Sequence, residues 1–126
     1  DRGALTSSEA ATIETAMRRI HELAGPEEKP SRIHGDLWSG NVVWGSDGDV
    51  WIIDPAAHGG HRETDLAMLS LFGAPDAAFA EGYGPLAPGA EARRPIYQLW
   101  PAIVHLRLFG AGYAGMLDRL LDRAGA

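Results

Sequence analysis

The stretch 33–55 constrains this chain more than any other part of its sequence. Two short apolar runs, Val42–Trp44 and Val50–Ile53, flank five residues rich in glycine, serine and aspartate. Such a pattern predicts a β-hairpin, because turn-forming residues between two apolar runs fold the chain back on itself. The two ends of a hairpin lie side by side, so residues just outside the strands are expected to be neighbours.

Three oxygen-bearing side chains are expected to meet at the open end of this hairpin. Asn41 enters the first strand, Asp54 leaves the second, and Asp36 lies one short loop upstream. Asn41 and Asp54 can supply oxygen ligands to a hard divalent cation, and such a cation binds phosphate. Asp36 can accept the proton of an incoming hydroxyl, as phosphoryl transfer requires. Taken singly, each residue also fits a turn or a helix cap.

Length, charge and composition narrow the class of protein. The chain has 126 residues, a net charge of −6 and no cysteine. These values predict a single domain without disulfides or cysteine-ligated zinc, and the acidic balance disfavours a nucleic-acid partner. The N-terminus lacks an apolar signal segment, and no apolar run approaches the roughly 20 residues of a membrane span. We therefore expect a cytoplasmic protein with no membrane partner, and a trimmed or fragmentary chain because there is no initiator Met.

The rest of the sequence is mainly helical in pattern. Thr6 and Glu9 fit a capping box, and the helix behind them is expected to stop near Gly25. A nearly all-apolar helix, 66–72, is expected in the middle of a core. Asp76 is expected to cap a further helix that turns Phe79 and Tyr83 inward. Helical patterns resume over 91–108, with Pro101 kinking or dividing the helix, and over 113–123. The predicted fold class is mainly α with a small β-hairpin.

The central stretch also resembles a known family. His34-Gly35-Asp36-Leu37-Trp38-Ser39-Gly40-Asn41 matches the protein-kinase catalytic loop H-R-D-L-x-x-x-N, with glycine in place of arginine. A loop with glycine at this position resembles that of the small-molecule kinases related to the aminoglycoside phosphotransferases. With Ile53-Asp54-Pro55-Ala56 and Gly60-His61-Arg62-Glu63 before Asp65, the pattern resembles more narrowly the fructosamine (ketosamine) kinases. The similarity covers roughly Arg32 to Tyr113.

This resemblance implies a role for each matched residue. Asp36 would be the catalytic base, and Asn41 and Asp54 would bind Mg²⁺, with ATP as co-substrate and a sugar-amine as acceptor. Two further residues would support the catalytic loop: His34 and Asp65. Three residues would contact the acceptor or lie near it: Trp38, His61 and Arg62.

Other interpretations remain for several of these residues. Arg62 can pair with Glu63, Asp65 or a core carboxylate instead of a substrate. His34, His58 and His61 could join the aspartates in a transition-metal site, although their irregular spacing favours structural roles. Trp44 and Trp51 are expected to pack on each other across the hairpin.

The resemblance also implies that part of a kinase is absent from this sequence. No Gly-rich loop precedes Thr6, and the single lysine, Lys29, lies in a polar loop rather than a strand. The expected fold is therefore the C-terminal lobe of a protein-kinase-like α+β fold without its N-lobe, inactive on its own. The apolar face left for the N-lobe could cause self-association. The alternatives are an aminoglycoside- or choline-type kinase, a non-catalytic binding fragment and, more distantly, a metal-dependent phosphoesterase.

Overall fold

The computed structural model describes residues 5–125, which fall into two compact units. One unit runs to Pro26 and resumes at Pro88, and the other is Glu27–Ala87. In chain order the elements are α1 (Ser7–Arg18), α2 (Ile20–Leu23), β1 (Ser31–Ile33), β2 (Val42–Trp44), β3 (Val50–Ile52), β4 (His58–Gly60), α3 (Glu63–Leu69), α4 (Ala77–Tyr83), α5 (Ala90–Phe109) and α6 (Ala114–Ala124). Helices with two small antiparallel sheets match the predicted secondary-structure class.

The predicted capping box at the start of α1 is confirmed. The Thr6 hydroxyl accepts a hydrogen bond from the backbone N–H of Glu9 at 3.2 Å, and the Glu9 carboxylate accepts one from the Thr6 N–H. Hydrogen bonding of the Glu9 carboxylate by the side chain and then the backbone of Thr6 holds the pKa of Glu9 below its ordinary value, since it favours the charged form. The helical segment is interrupted at Arg19 (φ −100°, ψ 10°), so two helices precede the left-handed Gly25.

The helical unit is built around α5 and α6. Pro95 and Pro101 both lie inside α5, which nevertheless continues as one helix to Phe109. A proline lacks the N–H that would bond four residues back, so packing has to compensate for the lost bonds. The side chains that form this core are Ala16, Ile96, Leu99, Ala102, Leu106, Leu117, Leu120, Leu121 and Ala124.

The predicted hairpin is confirmed as the antiparallel pair β2–β3. Its register sets Val43 opposite Trp51 and Trp44 opposite Val50. The expectation that the two tryptophans pack across the hairpin is therefore wrong. Consecutive residues of a strand point to opposite faces, so Trp44 and Trp51 lie on different sides of the hairpin. Both are solvent-exposed, by 75% and 60%.

A second sheet joins β1 to β4, a segment whose glycines favour a loop. β1 pairs antiparallel with β4, with Ser31 opposite Gly60 and Ile33 opposite His58. Two of the three β4 residues are glycines, which carry no strand signal of their own. The pairing places the catalytic-loop candidate, which follows β1, close to α3, which follows β4.

The helices after β4 differ from expectation in their exposure. α3 spans Glu63–Leu69, so it starts and ends earlier than the predicted 66–72, and Phe72 is 43% exposed. Asp76 caps α4 as predicted, since its carboxylate accepts from the Phe79 N–H at 2.9 Å. The inward orientation predicted for Phe79 and Tyr83 is wrong: both are exposed, and their rings stack on each other at 5.8 Å. Within residues 5–125, no helix is both long and apolar enough to cross a membrane.

Candidate active site

Asn41 and Asp36 are in direct contact. Asn41 is buried at the end of a 3-10 turn, Ser39–Asn41, and its Nδ2 donates to the backbone oxygen of Asp36 at 2.9 Å and to Oδ2 of Asp36 at 3.2 Å. An amide nitrogen that faces Asp36 leaves the amide oxygen, Oδ1, as the ligand atom that Asn41 can offer. The two residues therefore present a carboxylate and an amide oxygen from one short loop.

The hairpin brings the Asp54 segment to Asn41. The backbone oxygen of Asn41 accepts a hydrogen bond from the Ile53 N–H at 3.0 Å, one residue before Asp54. Asp54 is exposed, and among the described residues it is the one non-glycine with a positive φ, 53°. This left-handed conformation costs about 1–2 kcal/mol for most residues and less for aspartate, whose carboxylate can bond locally. Residues in such conformations are concentrated at functional sites.

His34 joins the loop to the segment before Asp54. Its Nδ1 accepts a hydrogen bond from the Asp36 N–H at 3.3 Å, and its Nε2 lies 2.8 Å from the backbone oxygen of Ile53. A carbonyl can only accept, so Nε2 carries the proton and the imidazole is neutral. The buried ring thereby fixes the backbone of Asp36 relative to that of Ile53.

Asp65 holds the same loop from the first turn of α3. Its carboxylate accepts hydrogen bonds from the His34 N–H at 2.6 Å and from the Gly35 N–H at 2.9 Å. Bonds from backbone N–H groups to a carboxylate are charge-assisted and therefore strong. Asp65 is 31 positions from His34 in the chain, so this contact depends on the tertiary fold.

Gly35 occupies a position that a larger residue would not tolerate. Its φ is +83°, and a Cβ added there would lie 2.3 Å from the backbone oxygen of Ala56. The side chain of an arginine, which protein kinases carry at this point of the motif, would meet the same obstacle. Close passage of the 54–57 segment over the loop therefore explains the glycine.

Trp38 covers the loop between Asp36 and Asn41. A Cβ added at Gly40 would lie 2.2 Å from the Trp38 ring, so the indole lies directly against the Gly40 backbone. The side chain is 40% exposed and presents an aromatic surface beside the two polar residues.

Arg62 pairs with a carboxylate, but this partner is Glu28 in the loop before β1 and not Glu63 or Asp65. Its Nε donates to Oε2 of Glu28 at 2.9 Å, Nη2 approaches Oε1 at 3.4 Å, and Nη2 also reaches the Pro85 backbone oxygen. The hydrogen bond with Glu28 raises the pKa of Arg62 above its ordinary value. Glu28 lies 34 positions upstream in a charged loop, where it resembles an ordinary solvated residue.

The histidines are not grouped around the aspartates as a metal site would need. His58 directs Nδ1 to the Ala56 backbone oxygen at 2.8 Å, and Nδ1 of His61 accepts from the Glu63 N–H at 3.3 Å. A different group of residues comes close together: Glu28, His61 and Glu63 each offer one ligand atom, and these three atoms lie within 4.8 Å of one another. Within this group the Glu28 carboxylate is paired with the Arg62 guanidinium at 2.9 Å.

The chain matches a family model and several curated proteins. The family model for fructosamine kinase matches residues 3–125. A probable ketoamine kinase of Lactiplantibacillus plantarum is 47% identical over 74% of this chain and 34% of its own length. The probable ketoamine kinase YniA of Escherichia coli K12 is 40% identical over 88% of this chain and 40% of its own length.

A solved structure matches over almost the whole chain. A crystal structure of a candidate fructosamine-3-kinase from Thermobifida fusca has a TM-score of 0.87 and 51% identity, covering 98% of this chain and 44% of that protein. The chain thus spans less than half the length of these relatives. The match of the family model from residue 3 to residue 125, together with the residues of the loop, shows that the chain belongs to the fructosamine kinase family.

Proposed function

We propose that this chain is the acceptor- and metal-binding lobe of an ATP-dependent kinase that phosphorylates a hydroxyl of a sugar-amine, a ketosamine. The observation that carries the proposal is the pair of hydrogen bonds from Asn41 Nδ2 to Asp36. These bonds orient a carboxylate and an amide oxygen from one loop, as a hydroxyl acceptor beside a cation requires. The kinship with ketoamine kinases supports the same chemistry.

In this proposal Asp36 is the catalytic base. Its carboxylate orients the acceptor hydroxyl and takes its proton as the oxygen attacks the γ-phosphorus of ATP, while the bond to the β-phosphate oxygen breaks. Asn41 Nδ2 fixes the position of the carboxylate through Oδ2, which leaves Oδ1 of Asp36 for the substrate. General-base assistance of this kind contributes roughly 10²- to 10⁴-fold to the rate.

Asn41 and Asp54 would hold Mg²⁺. Their donor set fits the ion, since an amide oxygen and a carboxylate are the hard oxygen ligands that Mg²⁺ prefers. When bound, the ion would neutralise charge on the phosphates of ATP. The hydrogen bond between the Asn41 oxygen and the Ile53 N–H supports the two ligands acting together.

The remaining site residues hold the loop or face the acceptor. His34 and Asp65 keep the loop backbone in place through the bonds described above. We assign Trp38 and His61 to the acceptor side, Trp38 as an aromatic surface. Arg62 was expected there too, but its guanidinium is bonded to Glu28, which favours an indirect contribution.

We further propose that the chain is the C-terminal lobe of a longer protein-kinase-like fold. The relatives are more than twice as long, and the hairpin exposes large apolar residues on both faces, as expected where another lobe docks. ATP would be held largely by that other lobe. A cytoplasmic location accords with the use of ATP.

The 126-residue chain alone is therefore expected to show little or no kinase activity. A chimera that joins it to the part of the Thermobifida fusca protein outside the matched region should consume ATP in the presence of a synthetic fructosyl-amine. A coupled assay of ADP release measures both proteins. Because we assign most of the contacts with ATP to the other lobe, we expect the turnover of the isolated chain to be at least about 100-fold lower.

The same assay separates the alternatives. A chimera that phosphorylates an aminoglycoside or choline, but no ketosamine, would replace the proposed acceptor. Robust turnover by the isolated chain would contradict the proposal that it is one lobe of a larger kinase. A chimera that folds, binds ATP and phosphorylates none of these acceptors would favour a non-catalytic binding protein.

The exposed hairpin is also expected to make the isolated chain self-associate. Trp44 and Trp51 are 75% and 60% exposed on opposite faces of the hairpin, so burying either one against a second copy is favourable. Sedimentation should show a concentration-dependent dimer that the double substitution Trp44→Ser/Trp51→Ser weakens. Trp100→Ser is the matched control, because Trp100 on α5 is 74% exposed but lies in the other unit. Equal effects of both changes would contradict a role for the hairpin.

A further inference from the structure

Three sets of contacts join β1 and its flanking residues to the β4–α3 segment. The middle set is the antiparallel pairing of β1 with β4, in which Ser31 lies opposite Gly60 and Ile33 lies opposite His58. After β1, Asp65 in α3 accepts the two N–H groups of the catalytic loop. Before β1, Glu28 receives the Arg62 guanidinium. The ion pair and the Asp65 contacts therefore hold opposite ends of the same strand.

The β1–β4 pairing, which lies between the Arg62–Glu28 ion pair and the Asp65 contacts, is weak by itself. Each strand has three residues, and β4 contributes two glycines, so cross-strand side-chain contacts are few. A two-stranded pair of this length is at best marginally stable in water. Weakly specified strands are also prone to slip in register. A slip would carry β1, and the loop that follows it, away from Asp65.

Arg62 is well placed to prevent such a slip. Its guanidinium makes a two-point contact with Glu28, at 2.9 Å and 3.4 Å, and reaches the Pro85 backbone oxygen at 3.4 Å. The same group lies 6.0 Å from the centre of the Tyr83 ring. The Arg62 and Glu28 side chains are only 30% and 23% exposed, so water screens the pair less than it screens a surface ion pair.

We propose that the Arg62–Glu28 pair is a positioning device, which keeps Asp65 under the loop and thereby fixes Asp36. Arg62 immediately precedes α3 and lies three residues before Asp65, so holding Arg62 holds the first turn of that helix. Arg62 acts through Asp65 and does not touch the acceptor. The catalytic part of this inference rests on the proposed function, whereas the coupling between the pair and the loop does not.

The coupling can be tested in the 126-residue chain by amide hydrogen exchange in NMR spectra. Arg62→Gln and Glu28→Gln should each raise the exchange rates of the His34 and Gly35 amides by about tenfold or more. The double charge exchange Arg62→Glu/Glu28→Arg should restore part of the protection. Arg94→Gln is the control, because it removes an ion pair with Glu91 in the helical unit and should leave the two amides unchanged.

Global destabilisation is separated from positioning by two further readings. Exchange at Leu66 and Ala67, buried in α3, should change less than at His34 and Gly35. If Arg62→Gln does not fold, Arg62→Lys keeps the charge but loses the two-point contact and should show a smaller change of the same kind. Unchanged exchange at His34 and Gly35 in folded variants would overturn the inference.

The effect of replacing Arg62 on catalysis can be measured in the chimera by steady-state kinetics. A positioning residue should lower kcat when replaced and leave KM for the ketosamine within about twofold. A raised KM with an unchanged kcat would instead show that Arg62 contacts the acceptor, which would overturn the inference. Loss of protection at His34 and Gly35 in a protein without turnover on any acceptor would keep the coupling and reject only the proposed function.

Discussion

Replacing Asp36 with asparagine is expected to lower kcat of the assembled kinase by about 10²- to 10⁴-fold, the usual contribution of a general base. Asparagine has nearly the same shape and keeps an oxygen that can accept from Asn41 Nδ2, but it cannot take the proton of the acceptor. Steady-state ADP release by the chimera, at saturating ATP and ketosamine, measures the effect. KM for ATP should change little, because Asp36 serves the acceptor.

Asp47→Asn provides the matched control for this substitution. Asp47 is an exposed residue of the hairpin loop, and its carboxylate accepts only a local bond from the Asp49 N–H at 3.1 Å. The same chemical change there should leave kcat unaltered. Retention of more than about a tenth of the activity by Asp36→Asn would contradict a role for Asp36 as base.

Gly35→Ala is expected to destabilise the isolated chain by about 2–5 kcal/mol. A left-handed backbone costs an L-residue about 1–2 kcal/mol, and overpacking against neighbouring atoms adds about 1–3 kcal/mol. The added Cβ would lie 2.3 Å from the Ala56 backbone oxygen and 3.0 Å from His58 Nδ1, and a backbone atom cannot move aside as a side-chain tip can. Urea denaturation followed by far-ultraviolet circular dichroism measures the free energy of unfolding.

Substitutions at two other glycines of the same unit separate the cost of the left-handed backbone from the cost of the steric contact. Gly48 has a φ of +89°, and no atom lies within 4 Å of the point that a Cβ would occupy, so Gly48→Ala should show the cost of the backbone conformation alone. Gly82 lies inside α4 with open space around it, so Gly82→Ala should be neutral or slightly stabilising. If Gly35→Ala costs no more than Gly48→Ala, the contact with Ala56 is relieved and the steric explanation is wrong.

Local sequence was sufficient for the elements that rest on local interactions. The capping box of Thr6 and Glu9, the cap at Asp76 and the hairpin β2–β3 each depend on residues a few positions apart, and each was predicted. The placement of side chains within the hairpin was not predicted correctly, because the register of the strands decides which residues face each other. The pairing of Trp51 with Val43 and of Trp44 with Val50 sets the two tryptophans on opposite faces.

Two contacts between distant segments escaped prediction for a physical reason. Strand β4 has the sequence His58-Gly59-Gly60, which favours a loop, and only the hydrogen bonds offered by β1 make it extended. Glu28 lies in a charged run that normally faces water, and only folding brings Arg62 to it. In both cases the stabilising partner is about 30 positions away, where residue patterns carry no information.

The sequence by itself determined the family and the residues of the proposed chemistry, because Asp36, Asn41 and Asp54 belong to a motif with fixed spacing. The resemblance also named His34 and Asp65 as supports of the loop, and the tertiary structure decided through which atoms they hold it. Asp65 binds the loop from a helix, His34 locks it to Ile53, and Gly35 is required because Ala56 passes over it. Spacing specifies which groups can meet, whereas bonds between segments far apart in the chain fix where they meet.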